Sequence, residues 1–323
     1  MNRNYENRFI IGIDCGGTKT DVLMTDLNLK ICYQEKFKGI NIQRESEVKV
    51  KYFFYDIVFE IIKHIINDIG KIEKIVIGAA GAGRDVTKKK IIDSFRNTIL
   101  SERVVVFSDM YIAYRSAFYG DRGILVNSGT GSFAYTINEK GQEIRTGGWG
   151  YLVGDEGSGF DIGREGIRTA LKSFDGRLEK SILEKKICSR FCLKSINEII
   201  PLIYDEKITL SDISMVSSLV FDAAKEGDKQ AKNIIKKAVD EIILHLEAME
   251  RNFYKKEEPI NIIFYGGVFK ENKDFIRAIE EKIGRRFNII KRDIFPVRGA
   301  IITIIEQLGL RLDNKCIKDF LSG

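Results

Sequence analysis

Proline is scarce in this chain, with three residues among 323, and no stretch reads as a disordered linker. Histidine is scarcer still. His64 and His245 lie in helical runs, away from any glycine loop, and read as helix-surface or core histidines. The five cysteines are scattered at 15, 32, 188, 192 and 316, and only Cys188 and Cys192 are close, one helical turn apart. A zinc or iron–sulfur centre needs more ligands at tighter spacing, so these read as reduced thiols, many of them buried. No apolar run is long enough to span a bilayer, because Lys63 and His64 interrupt the best candidate. The opening Met-Asn-Arg-Asn-Tyr-Glu-Asn-Arg carries no apolar signal segment, so a cytoplasmic protein without a membrane partner is expected. Excess charge is modest too. The net +6 is spread along the chain; Lys88-Lys89-Lys90 and Arg285-Arg286 read as solvated faces, and no nucleic-acid partner is expected.

What the chain does have is apolar residues and well-placed glycine. At 44% hydrophobic and 30% charged residues, it is long enough for two domains with cores of their own. In Ile10-Ile-Gly-Ile-Asp14-Cys-Gly-Gly-Thr18-Lys-Thr20-Asp-Val-Leu-Met, an apolar run ends in an acid, a double glycine and two hydroxyl residues, and a second apolar run follows. That pattern predicts a tight hairpin whose bare N–H groups can meet a phosphate, with Asp14 near enough to position a metal ion or its water. Asn127-Ser-Gly129-Thr130-Gly131-Ser132 repeats the device. Two such hairpins suggest a nucleotide enzyme.

Residues 9–15, 20–26 and 30–37 read as strands joined by short turns. A helix is expected over 46–69, with Val50, Phe54, Ile57, Ile61 and Ile65 on one face and Gly70 as its stop. Strand 73–78 ends in the turn Ala79-Ala80-Gly81-Ala82-Gly83, a helix spans about 87–99, and strand 103–107 leads into a helix from Ser108 and Asp109 to about Phe118. The plan then starts again with strands at 122–128, 132–138 and 143–147. A helix runs from Gly157 to about Lys172, and 178–256 is mostly helical. There Ser211 caps a helix stopped at Gly227, and Asp228 caps one whose inner face carries Ile234, Ile235, Val239, Ile242, Leu246 and Phe253. Strand 260–265 feeds Gly266-Gly267 and a helix from about Asn272; strand 287–290 precedes a last helix, 299–308. Antiparallel strands followed by strand–helix alternation predict mixed α/β sheets covered by helices.

Several ordered motifs together carry a resemblance: Asp14-Cys-Gly-Gly-Thr-Lys-Thr20, Ser108-Asp109, Ser128-Gly-Thr-Gly-Ser132, Gly147-Gly-Trp-Gly150, Gly154-Asp-Glu-Gly-Ser158 and Tyr265-Gly-Gly267. Over nearly its whole length the chain resembles the N-acetylglucosamine kinase branch of the BadF/BadG/BcrA/BcrD ATPase family, in the actin-like, hexokinase-like superfamily. The resemblance implies two actin-like (ribonuclease H-like) α/β domains, each a mixed five-stranded sheet with helices, closing on a nucleotide cleft. The expected boundaries are 1–118 plus 300–323, and 119–299 with a helical insertion. On this reading Gly16, Gly17 and Thr18 give N–H groups to the β- and γ-phosphates of ATP, Lys19 adds positive charge, and Asp14 holds Mg²⁺ through water. Thr130, Gly131 and Ser132 close on the phosphates, with Thr130 and Ser132 donating from both hydroxyl and backbone. Gly266 and Gly267 let the adenosine approach the backbone.

Asp109 is the expected general base. It stands just beyond a buried strand, at a helix start that keeps it ionised, and in similar kinases the matching aspartate takes the proton of the attacking hydroxyl. The resemblance implies a sugar site of Asn41, Asp109, Gly148, Trp149, Gly150 and Asp155, with Asp155 the runner-up base. Ile42-Gln43 departs from the family's bulkier, more polar stretch. The expected substrate is a small amino sugar, N-acetylglucosamine phosphorylated at its 6-hydroxyl. N-acetylmuramic acid, favoured if Arg84 lies near the sugar, and glucosamine are the alternatives. An ATPase activating a dehydratase or reductase is the rival of another class, and a sugar-sensing regulator comes last because no DNA-binding helix pair precedes residue 9. A homodimer is left open.

Overall fold

The computed structural model describes residues 8–65, 68–253 and 259–323. The opening segment, the end of the helix expected over 46–69 and residues 254–256 fall at least partly outside these, as do the side chains of His64, Ile65 and Phe253. Two compact units emerge, one of residues 1–121 and 292–323, the other of 122–291.

In the first unit, β1 (Phe9–Cys15), β2 (Lys19–Asp26) and β3 (Ile31–Lys38) run antiparallel; α1 (Glu47–Ile65) follows, then β4 (Ile72–Ala79), α2 (Asp85–Ser94), β5 (Val104–Ser108) and α3 (Asp109–Ala117). The sheet order is β3-β2-β1-β4-β5, with β4 parallel to both β1 and β5. Central β1 is apolar almost throughout because both its faces are covered. Ile11, Ile13 and Cys15 face a core shared with Val50, Phe54, Ile57 and Ile61 of α1; Ile10 faces the other core layer. Edge strand β3 instead carries Gln34, Glu35, Lys36 and Lys38, which suits a strand with an open side.

The second unit repeats the plan. It contains β6 (Ile124–Ser128), β7 (Ser132–Ile137), β8 (Glu143–Gly147), α4 (Gly159–Phe174), α5 (Leu183–Phe191), α6 (Ile199–Tyr204), α7 (Leu210–Lys225), α8 (Lys229–Phe253), β9 (Ile260–Tyr265), α9 (Gly267–Glu271), α10 (Lys273–Ile283) and β10 (Phe287–Ile289). Its sheet order is β10-β9-β6-β7-β8, with β6, β7 and β8 antiparallel and β9 parallel to β6 and β10. Helix α11 (Pro296–Gln307) and α12 (Asn314–Ser322) then complete the first unit. These two mixed sheets with covering helices are the expected α/β fold.

Several local expectations need correction. Helix α2 stops at Ser94 rather than near 99, because Thr98 donates its hydroxyl to the Phe95 carbonyl and accepts from the Leu100 N–H. Thr209, not Ser211, caps α7; it exchanges hydrogen bonds with Asp212 in a capping box. The last long helix starts at Pro296, three residues before the expected 299, and the sequence pattern marks neither α9 nor α12. Of the cysteines only Cys15 is buried, and its surroundings push the thiol up to about 12, so it stays protonated. Lys90 is no solvated lysine: its ammonium donates to the carbonyls of Ile42 (2.8 Å) and Glu45.

Candidate functional site

The first unit gathers its candidate residues at the C-terminal ends of β1, β4 and β5. The β1–β2 register pairs Cys15 with Thr20, and the Gly16 N–H donates to the Lys19 carbonyl at 2.9 Å. This closes the expected hairpin and leaves Gly17 and Thr18 exposed at its tip. Gly39 braces the turn from behind. Its N–H donates to the Thr18 carbonyl (3.1 Å), the Ile40 N–H to the Gly16 carbonyl (3.0 Å), and a side chain at 39 would overlap the turn's backbone. Lys19 is exposed and salt-bridged to Asp21 at 2.7 Å.

Asp109 opens α3, whose N-cap Ser108 accepts from the Tyr111 N–H at 3.1 Å. The sheet register places Cys15 beside Ala79 and Ala79 beside Ser108, so Asp14 and Asp109 stand across two small residues, Gly78 and Ala79. Glycine also brings α3 down onto the sheet. A side chain at Gly78 would overlap Ile112, and one at Gly299 of α11 would overlap the Ile112 carbonyl and crowd the Ser116 N–H. Packing strips water from Asp14, and Asp109 and then Asp21 repel its charge, against a smaller pull from Lys19. Together they lift its carboxyl from 3.8 to about 7. Asn41 folds into a turn, its side chain accepting from the Arg44 N–H at 3.3 Å, and Gln43 reaches the loop glycine Gly81. Arg84 lies exposed at the start of α2.

The second unit stitches its turn 128–132 to the loop 147–159. The Ser128 hydroxyl donates to the Gly157 carbonyl (2.8 Å), the Ser132 hydroxyl to the Glu156 carbonyl (2.6 Å), and the Gly159 N–H to the Gly129 carbonyl (2.7 Å). Asp155 ties the same pieces together. With φ +60°, it accepts from the Gly150 N–H (3.3 Å) and the Ser132 N–H, while burial raises its carboxyl above the usual range. Ser132 therefore has its hydroxyl and its N–H engaged within the unit, unlike exposed Thr130. Gly266, at φ +106°, packs where any side chain would overlap the Ser128 carbonyl, while Gly267 opens onto free space. Trp149 is 60% exposed and lies under the Arg145 guanidinium, 4.5 Å from its ring centroid; Gly148, at φ +69°, abuts the Arg145 stem.

His245 is the core histidine of a helix that its sequence implies, but it does not lie away from the glycine loops. It is a buried histidine of α8, yet it packs against a glycine loop: its ring fills the space where Gly147 would carry a side chain. Its Nδ1 meets the Thr146 hydroxyl at 3.2 Å, its Nε2 is buried without a partner, and burial lowers its pKa. The pair lies 99 positions apart, and no local pattern could have exposed the contact. Nothing in the sequence marked the brace at Gly39 or the placement of Arg145.

The chain matches the BadF/BadG/BcrA/BcrD ATPase family over residues 11–303, and it belongs to that family. It is 36% identical to an N-acetylmuramic acid/N-acetylglucosamine kinase of Clostridium acetobutylicum, over 81% of this chain and 85% of that one. It is 25% identical to an N-acetyl-D-glucosamine kinase of Dictyostelium discoideum, over 92% and 98%. Among solved structures it shares its fold with provisionally named N-acetylglucosamine kinases. That from Chromobacterium violaceum has TM-score 0.72 and 20% identity over 91% of this chain and 98% of that one. That from Porphyromonas gingivalis has TM-score 0.69 and 20% identity over 93% and 99%.

Proposed function

We propose that the chain is an amino-sugar kinase, transferring the γ-phosphoryl group of ATP to the 6-hydroxyl of N-acetylglucosamine. The observation that carries this reading is Asp109 at the N-terminus of α3, across Gly78 and Ala79 from Asp14 and the Gly16–Lys19 turn. The helix terminus favours an ionised carboxylate, which is what accepting a proton from an alcohol requires. Phosphoryl transfer otherwise needs alignment and charge neutralisation. Gly17 and Thr18 offer exposed backbone to the terminal phosphates, and Lys19, shared with Asp21, adds less.

Asp14 suits Mg²⁺. A carboxyl short of water and beside two other acids gains by facing a divalent cation, and no cluster of three or more acids, histidines or cysteines competes for one among the described residues. One carboxylate acting through water agrees with magnesium's habit of keeping its hydration shell. When bound, the ion supplies charge neutralisation at the phosphates. In the second unit, Thr130 and Gly131 are the proposed phosphate contacts and Gly267 the proposed nucleoside contact; Ser132 acts by holding the turn. Gly148, Trp149 and Gly150, together with Asn41, are the proposed sugar contacts. Asp155 holds their loop by accepting from the Gly150 and Ser132 N–H groups, so Asp109 is the proposed base.

Coupled ADP release over N-acetylglucosamine, N-acetylmuramic acid, glucosamine and glucose tests the reading. The expected outcome is release that depends on an N-acetylated sugar, with a 6-phosphate product. Equal release with and without sugar favours the ATPase-activator class instead.

A further inference from the structure

We propose that Arg145 is the residue by which the loop 147–159 reads a carboxylate carried on a short alkyl ether of the amino sugar, as in the 3-O-lactyl group of N-acetylmuramic acid. The inference rests on the kinase reading and adds to it a specificity residue. Arg145 stands in β8 opposite Tyr135, and its stem runs along Gly148. The guanidinium lies over the exposed Trp149 ring. A guanidinium that meets a ring on one side keeps N–H groups directed away from that ring, and such groups can grip a carboxylate through two parallel hydrogen bonds. No carboxylate lies within salt-bridge distance of Arg145 among the described residues. Asp155 is close enough to feel its charge, but Asp155 accepts from the Gly150 and Ser132 N–H groups.

The surroundings define the ligand further. Leu152 and Val153, on the same loop as Trp149, are 77% and 79% exposed. A cation on a loop that also exposes apolar side chains suits one carboxylate with a methyl group attached. The acids of the loop, Asp155 and Glu156, oppose a polyanion. A lactyl ether is such a group; the acetyl group of N-acetylglucosamine offers the methyl without the charge.

The experiment compares N-acetylmuramic acid, its uncharged methyl ester and N-acetylglucosamine, by kcat/KM and by equilibrium binding, in the wild type, Arg145→Gln and Arg145→Lys. Loss of one charge-assisted contact lowers efficiency about 10- to 100-fold for the acid relative to N-acetylglucosamine in Arg145→Gln. Arg145→Lys recovers part of that ratio, and the acid loses its advantage over the ester in Arg145→Gln. An unchanged ratio overturns the proposal, as does a wild type that takes N-acetylglucosamine but not N-acetylmuramic acid. If no sugar is phosphorylated, the kinase reading fails, and binding still judges Arg145: the same acid-selective loss supports it, and its absence overturns it.

Discussion

A carboxyl that has lost most of its water and faces two other acids is a poor holder of negative charge, and Asp14 is such a group. Its pKa is about 7 in the folded, metal-free protein against an ordinary 3.8, so the folded state holds a proton that the unfolded state releases. Stability from this group is therefore full below the ordinary value and is lost as pH rises through about 7. Asp14→Asn is expected to raise the Tm of the metal-free protein at about pH 8 and to change it little at about pH 4. Thermal unfolding in a chelator checks this, and a lowered Tm on the alkaline side contradicts it. The same asparagine is expected to weaken Mg²⁺-dependent turnover, a case of stability opposing activity at a site.

At the scale of elements, Gly299 and Gly78 set how closely α3 approaches its neighbours, and hence where Asp109 stands. Gly299→Ala places a methyl against backbone that cannot yield, at a cost of about 1–3 kcal/mol. Reduced Tm and reduced kcat together are expected. Gly17→Ala is the contrasting case, because nothing lies near a side chain there. Its Tm is expected to hold while KM for ATP rises, as the turn loses its close approach to phosphate. A Tm loss as large as that of Gly299→Ala contradicts this account. Much at this scale was legible in advance. The apolar runs of β1 and β4, and the Val50, Phe54, Ile57 and Ile61 face of α1, follow from periodicity alone. What escaped notice was decided by side-chain choices: Thr209 outcompetes Ser211 because Asp212 answers it, and Pro296 at the first turn starts α11 early. His245 under Gly147 is a tertiary contact and has no local signature.

At the scale of the whole molecule, both units use one plan, three antiparallel strands and then two parallel ones, without an obvious sequence repeat. The plan rests on apolar runs and glycine turns, which different residues can supply in the two units. Such a fold hosts many activities, and function is argued from the site. Each unit presents a turn in the expected position, but they differ in finish. The first leaves Gly17 and Thr18 exposed, whereas the second spends Ser132 on holding its own loop. In the proposed reaction Asp109 takes the proton of a sugar hydroxyl. The most direct test of that role is sugar-dependent ADP release by Asp109→Asn at saturating ATP and Mg²⁺, with nucleotide binding measured alongside. A fall in kcat of about 10²–10⁴ with ATP affinity retained is expected. Turnover close to that of the unaltered protein contradicts it.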